Sequence, residues 1–168
     1  MLDHPGYDMR HLTGQRGLTL IELMVGLAIG AFLMLTAAPY FSEYTTNSRL
    51  REGGNLVFSE ALLAQSEAIK RNATVRLAID GTSVQVIDRS VPATPVVLRS
   101  RTLTGGVSAA TGTVDFGSEG RPVPFGTAVS INLATSAGSC SSDMRCPGLR
   151  VDAGGAVRLC GNQLLSDC

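Results

Sequence analysis

The sequence predicts an α+β protein in which a long N-terminal helix, apolar in its first half and amphipathic in its second, packs on an antiparallel β-rich C-terminal domain. Three observations carry this. An uninterrupted apolar run extends from Leu18 to Ala38. A 3.6-residue stripe, Val57, Ala61, Ala64 and Ala68, follows it. After Ile69 the chain turns to short runs of valine, isoleucine, leucine and threonine separated by glycine, the composition of strands and turns.

The first element, LTLIELMVGLAIGAFLMLTAA, holds about 21 residues and a single charge. At about 1.5 Å per residue it crosses the ~30 Å hydrocarbon layer of a bilayer. It is too long for the apolar region of a secretory signal, which spans about 7–15 residues. Met1 to Gly17 is polar, carries Asp3, His4, Asp8, Arg10, His11 and Arg16, and ends on a basic residue and a glycine. It reads as a leader cut before the apolar run, with Arg10 and Arg16 holding that end in the cytoplasm and the rest of the chain facing outward. Glu22 lies inside the run, where an acidic side chain costs on the order of 2.5–3.5 kcal/mol unless it snorkels or finds a partner. Gly26 and Gly30 form a G-x-x-x-G pair that permits close helix contact. Pro39 lacks a backbone donor and is expected to bend or locally open the helix.

Beyond Pro39 the amphipathic half should bury the Val57 stripe, with Phe58, Leu62 and Ile69 beside it and Ser59, Glu60, Ser66, Glu67, Lys70 and Arg71 opposite. Gly53-Gly54 costs about 1 kcal/mol per glycine relative to alanine, which predicts a weak point or hinge, and Asn72 reads as the stop. Strands are expected over residues 74–80, 83–89, 96–103, 113–116, 128–134, 149–152 and 156–160. The first two join across Gly81-Thr82 as a hairpin. Pro92, Pro95, Gly105-Gly106, Gly117, Gly120 and the serine-rich stretch from Ser136 mark turns. The boundaries are thus 1–17 leader, 18–41 membrane helix, 42–72 amphipathic helix and 73–168 β-rich domain.

All four cysteines, Cys140, Cys146, Cys160 and Cys168, fall in the C-terminal tail, an even number after an export-type segment, which predicts two disulfides in an oxidising compartment. Their spacing offers no C-x-x-C start for a zinc knuckle. Pairing within each sequential couple closes the smallest loops, but three connectivities are open. Zero net charge excludes a polyanion-coating protein, so nucleic-acid contact would have to be local. Both histidines precede Gly17 and the only lysine is Lys70. No nucleophile with a neighbouring base and no phosphate loop is present, and Asp80, Asp88, Asp115, Glu119, Asp143 and Asp152 are scattered through turns and strand ends. No catalytic role, cofactor or metal is expected.

The junction Arg16-Gly17-Leu18-Thr19-Leu20-Ile21-Glu22-Leu23 resembles the prepilin leader of type IV pilins and type II secretion pseudopilins. The resemblance implies a type IV pilin-like fold and cleavage by a prepilin peptidase after Gly17. It implies methylation of the new N-terminus at Leu18, where the family usually has phenylalanine. It also implies that Glu22 meets the N-terminal amine of a neighbouring subunit, neutralising two charges in an apolar bundle and fixing axial register. Pro39 matches a proline common in that family. SEAIKRNATVRL (Ser66 to Leu77) and the ending CPGLRVDAGGAVRLC (Cys146 to Cys160) resemble the GspH/FimT group of minor pilins and minor pseudopilins.

By that resemblance the chain is expected to be a FimT/FimU-like minor pilin. Its partners would be other minor and major pilins, the prepilin peptidase and an inner-membrane assembly platform. It would cross the inner membrane once, with its C-terminal domain periplasmic, before reaching the pilus and cell surface. Some FimT proteins bind DNA for uptake through a glycine-arginine-x-arginine motif. The matching stretch here, Gly155-Ala156-Val157-Arg158, keeps one arginine, with Arg145 and Arg150 as further candidates for weak phosphate contact. Pairing of these arginines with Asp143 and Asp152 is the simpler expectation. A minor pseudopilin of type II secretion shares the same layout, although the cysteine-stapled tail argues against it.

Overall fold

The computed structural model describes residues 17–165 and 168, with the side chains of Ala38 and Pro39 excepted. The leader up to Arg16 therefore lies outside the described residues. The chain divides after Pro39 into two units. One helix, α1 (Leu20–Arg71), is followed by seven strands, β1 (Val75–Gly81), β2 (Ser83–Asp88), β3 (Val96–Thr102), β4 (Val107–Phe116), β5 (Val129–Thr135), β6 (Gly148–Val151) and β7 (Val157–Cys160). The fold is α+β, and the pairings are antiparallel throughout, in the order β3-β2-β1-β4-β5-β6-β7. Strand β5 joins the two halves of the sheet, pairing through Leu133–Thr135 with β4 and through Val129–Asn132 with β6.

Alternation decides which face is buried. Val75, Leu77 and Ile79 of β1, Val84 and Val86 of β2, Val114 and Phe116 of β4, and Ile131 and Leu133 of β5 point inward. They meet Leu50, Val57, Ala61, Ala64 and Ala68 of α1, all fully buried. The alanines let the helix lie low on the sheet, and Phe116 is the largest side chain in the resulting core. On the outer face, Arg76 and Asp115 are register partners joined by two 2.7 Å bonds. That hydrogen bonding holds the Arg76 pKa above its ordinary value.

The helix ends as expected at Asn72, whose φ of 51° is left-handed. Ala73 N donates to Ala68 O and Asn72 N to Ile69 O, the paired bonds of a Schellman cap. Gly81, with φ of 57°, occupies the first central position of the two-residue β1–β2 link, where a type II′ turn takes glycine.

Four expectations are corrected. Helix α1 is unbroken through Gly53-Gly54, and both glycines are buried. A Cβ at Gly53 would lie 2.9 Å from Val107 Cγ1, and one at Gly54 would lie 2.8 and 3.0 Å from ring carbons of Pro147. The pair permits close approach of helix to sheet and is not a hinge. Glu60, expected on the solvent side, is 4% exposed. It receives Arg99 Nε at 3.1 Å and Arg101 Nε at 3.6 Å from the edge strand β3. Leu62 and Ile69, expected beside the core, are exposed at 41% and 54%. Strand β4 begins six residues earlier than expected, because its weak formers Ala109, Ala110 and Gly112 are held by neighbours: Ile131 fills the space over Gly112.

Candidate functional site

Two regions carry the residues singled out by sequence. The first is the apolar start of α1. Leu20–Ala37 forms an 18-residue window of mean hydropathy 2.2, long and apolar enough to cross a membrane, and none of it is buried. Its large side chains, from Leu20 to Leu35, are 52–78% exposed. Nothing lies within 4 Å of a Cβ placed at Gly26 or Gly30, so the surface at both is open. Thr36, near the end of the run, donates to Leu33 O at 2.9 Å, so it adds no unsatisfied donor.

At the head of this helix the sequence reading missed Thr19. Its hydroxyl accepts from Glu22 N at 3.3 Å and its carbonyl accepts from Leu23 N at 3.2 Å, which makes Thr19 the N-cap and Glu22 the third helical residue. The signal was available as T-x-x-E, the pattern of a capping box. Glu22 also sits in the first turn, where the helix dipole favours a negative charge. The capping bond is made by the Glu22 backbone N–H, so it is the first-turn position, and not the cap, that favours a carboxylate here. Among the described residues it makes no ion pair. Gly17 and Leu18 precede the cap in irregular chain, with Leu18 74% exposed. The backbone at Pro39 is helical.

The second region is the tail. Cys140 is bonded to Cys146, and Cys160 to Cys168. Cys146 is fully buried and belongs to the core, so the first bridge reaches deeper than a surface staple. Asn47 of α1 grips its loop from outside, donating to Asp143 O at 2.8 Å and accepting from Arg145 N at 2.9 Å. Ser141 closes the loop by accepting from Met144 N at 2.9 Å. The tail returns over it: Gln163 N donates to Cys146 O at 2.8 Å, and the buried Asn162 side chain donates to Ser141 O at 2.9 Å. Further along, Gln65 of α1 donates to Gly120 O and Gly155 O, tying two loops to the helix.

The three tail arginines are only partly brought together. Arg150 and Arg158 are register partners across β6 and β7, at one side of a shallow cavity of about 170 Å³ that Asn162, Leu165 and the Cys160–Cys168 bridge also line. Arg150 Nε donates to Cys168 O at 3.0 Å and its Nη1 to Leu149 O at 3.0 Å, so part of its donor capacity is used. Arg158 is exposed. Arg145 is exposed and held in the first disulfide loop. The expected pairing with Asp143 and Asp152 is not formed among the described residues. Asp152 instead accepts from Gly154 N and Ala156 N, building the β6–β7 turn.

Comparison with known proteins follows the same division. The prokaryotic N-terminal methylation motif matches residues 12–38. The family described as Type II transport protein GspH matches residues 54–163, more than half of the chain. No curated protein matches. Among solved structures the chain is similar to the type IV minor pilin FimU of Pseudomonas aeruginosa, with 16% identity, 69% of this chain and 91% of FimU covered, and a TM-score of 0.54. It is similar to the minor pseudopilin EpsH from the Type 2 Secretion System of Vibrio cholerae, with 14% identity, 67% and 97% covered, and a TM-score of 0.52. Identities this low speak to fold, while the family match rests on sequence. The chain belongs to the family described as Type II transport protein GspH and carries the prokaryotic N-terminal methylation motif.

Proposed function

We propose that this chain is a minor type IV pilin of the FimT/FimU kind, made as a prepilin. A prepilin peptidase removes the leader after Gly17. Leu20–Ala37 holds the chain in the inner membrane with its β domain on the periplasmic side, and the helix is then drawn into a filament with other pilins. One observation carries the reading: an 18-residue apolar helix with open glycine surfaces at Gly26 and Gly30, whose only ionisable side chain, Glu22, is without an ion-pair partner among the described residues. Such a helix is suited to burial among other apolar helices, and its lone carboxylate needs a cation there. The Leu18 amine of a neighbouring subunit, freed by cleavage, supplies one.

Glutamine sharpens the test, because it keeps the size and polarity of the side chain and carries no charge. Both Glu22→Ala and Glu22→Gln are expected to insert and to be cleaved after Gly17, yet to be lost from sheared filaments. Normal incorporation of Glu22→Gln would show that the charge is not what assembly requires.

DNA contact through the tail is a second reading, favoured by the cross-strand pair Arg150 and Arg158. Three arginines with one partly committed would give weak, salt-sensitive binding. A gel shift at low salt with the domain from Tyr40 onward, repeated with Arg158→Ala, tests it; no retardation by the unaltered domain rules it out. The minor pseudopilin reading is tested by deletion, which would abolish protein secretion while leaving pili intact.

A further inference from the structure

Tyr40, Phe41 and Tyr44 are 77%, 69% and 72% exposed, although they are large and aromatic and lie close together. At about 100° per residue they fall within roughly 100° of helix circumference. The stripe that packs on the sheet, Leu50, Val57, Ala61, Ala64 and Ala68, is centred about 135° away. The aromatic face is thus turned away from the chain's own domain, and no folding of that domain covers it. Ser42 and Glu43 occupy the other side of the same turn.

Position along the chain indicates what does cover it. The apolar window ends at Ala37, and the first partly buried residue of the domain is Thr45. At a helical rise of about 1.5 Å per residue, Tyr40 comes about 4.5 Å and Phe41 about 6 Å past Ala37; the Tyr44 backbone comes about 10.5 Å past it, and because helical side chains lean toward the N-terminus its ring is carried back toward the same depth. The headgroup layer on each side of a bilayer is about 5–7.5 Å thick, the difference between a ~30 Å core and a 40–45 Å total. Tyrosine is enriched at that depth because its ring is apolar and its hydroxyl wet.

We propose that Tyr40, Phe41 and Tyr44 form an interfacial collar that seats in the outer headgroup layer of the membrane. The collar fixes how far the helix emerges before assembly. It rests on the reading of Leu20–Ala37 as a membrane span.

The chain contains no tryptophan, so a single introduced indole is an unambiguous reporter. Full-length chain carrying Phe41→Trp, Leu27→Trp or Ser48→Trp is reconstituted into phosphatidylcholine vesicles containing lipids brominated either near the headgroup or deep in the acyl chain. Leu27→Trp should be quenched more by the deep bromines, which checks the span independently. Phe41→Trp should be blue-shifted relative to Ser48→Trp, more quenched by shallow than by deep bromines, and protected from aqueous iodide. With Leu27→Trp behaving as stated, a Phe41→Trp indole as open to iodide as Ser48→Trp overturns the collar and leaves the span standing. Protection from iodide without bromine quenching, growing with protein-to-lipid ratio, shows that a second copy covers the face and also overturns it. Absence of deep quenching at Leu27→Trp overturns the span itself.

Discussion

Substituting Gly54 by alanine sets two effects of opposite sign against each other. In an exposed helix the change stabilises by about 1 kcal/mol, because alanine restricts the unfolded chain and favours helix. Here the new methyl would sit 2.8 Å from Cγ and 3.0 Å from Cβ of Pro147, with Leu159 Cδ1 at 3.4 Å. A proline ring cannot rotate out of the way as a flexible side-chain end can. Pro147 is also buried beside Cys146, and its carbonyl accepts from Leu133 N. Overpacking of this kind costs about 1–3 kcal/mol, so Gly54→Ala should be net destabilising by about 1 kcal/mol. Equilibrium urea unfolding of the Tyr40–Cys168 unit, followed by circular dichroism, measures it, with the exposed Asn55→Ala as the reference for the propensity gain. An increase in stability at Gly54→Ala as large as that of the reference would refute close approach and restore the hinge reading.

Other expectations follow from the same contacts. Glu60→Ala removes the carboxylate that holds Arg99 and Arg101; with both guanidinium groups about half exposed the loss should be about 1–2 kcal/mol, below the 3–5 of a fully buried pair. Urea unfolding should show Arg99→Ala and Glu60→Ala to be non-additive. The two disulfides close loops of similar length, with sequence separations of 6 and 8, so chain entropy assigns each about 2–3 kcal/mol. Burial then decides: the double alanine change at Cys140 and Cys146 should lower the melting temperature more than that at Cys160 and Cys168, because Cys146 is in the core. Asp88 is held below its ordinary pKa first by the Ser90 backbone N–H, and Glu67 first by Arg71. Both stabilise above the ordinary carboxylate range, and that contribution is lost as pH falls through the lowered folded-state values, so stability should be flat near neutrality and decline below about pH 4. In a pH series of urea melts Asp88→Asn should reduce the decline.

Much of this fold was legible because its signals are local. Short valine-, isoleucine-, leucine- and threonine-rich runs on either side of Gly81-Thr82 marked β1 and β2, Asn72 stopped the helix, and the spacing of Val57, Ala61, Ala64 and Ala68 identified the buried stripe. What escaped depends on distant partners. Glu60 is an ordinary surface glutamate by type, and only Arg99 and Arg101, some forty residues on, make its burial tolerable. Gly53 and Gly54 carry a visible propensity penalty, while their reason lies in Val107 and Pro147. Thr19 differs: its cap is local, and the T-x-x-E pattern that signals it was readable in the sequence. The assembly role proposed for Glu22 would belong to a contact between chains, and a single chain bears on it only through a carboxylate in an apolar helix that has no ion-pair partner among the described residues.

That role depends on a processed N-terminus, and intact-mass analysis of the chain recovered from sheared, washed filaments tests it most directly. The account predicts a chain that begins at Leu18 with a methylated amine, present in the filament fraction and lost from it in Glu22→Gln. A chain in the filaments that still begins at Met1, or a correctly processed chain confined to the membrane, would contradict it.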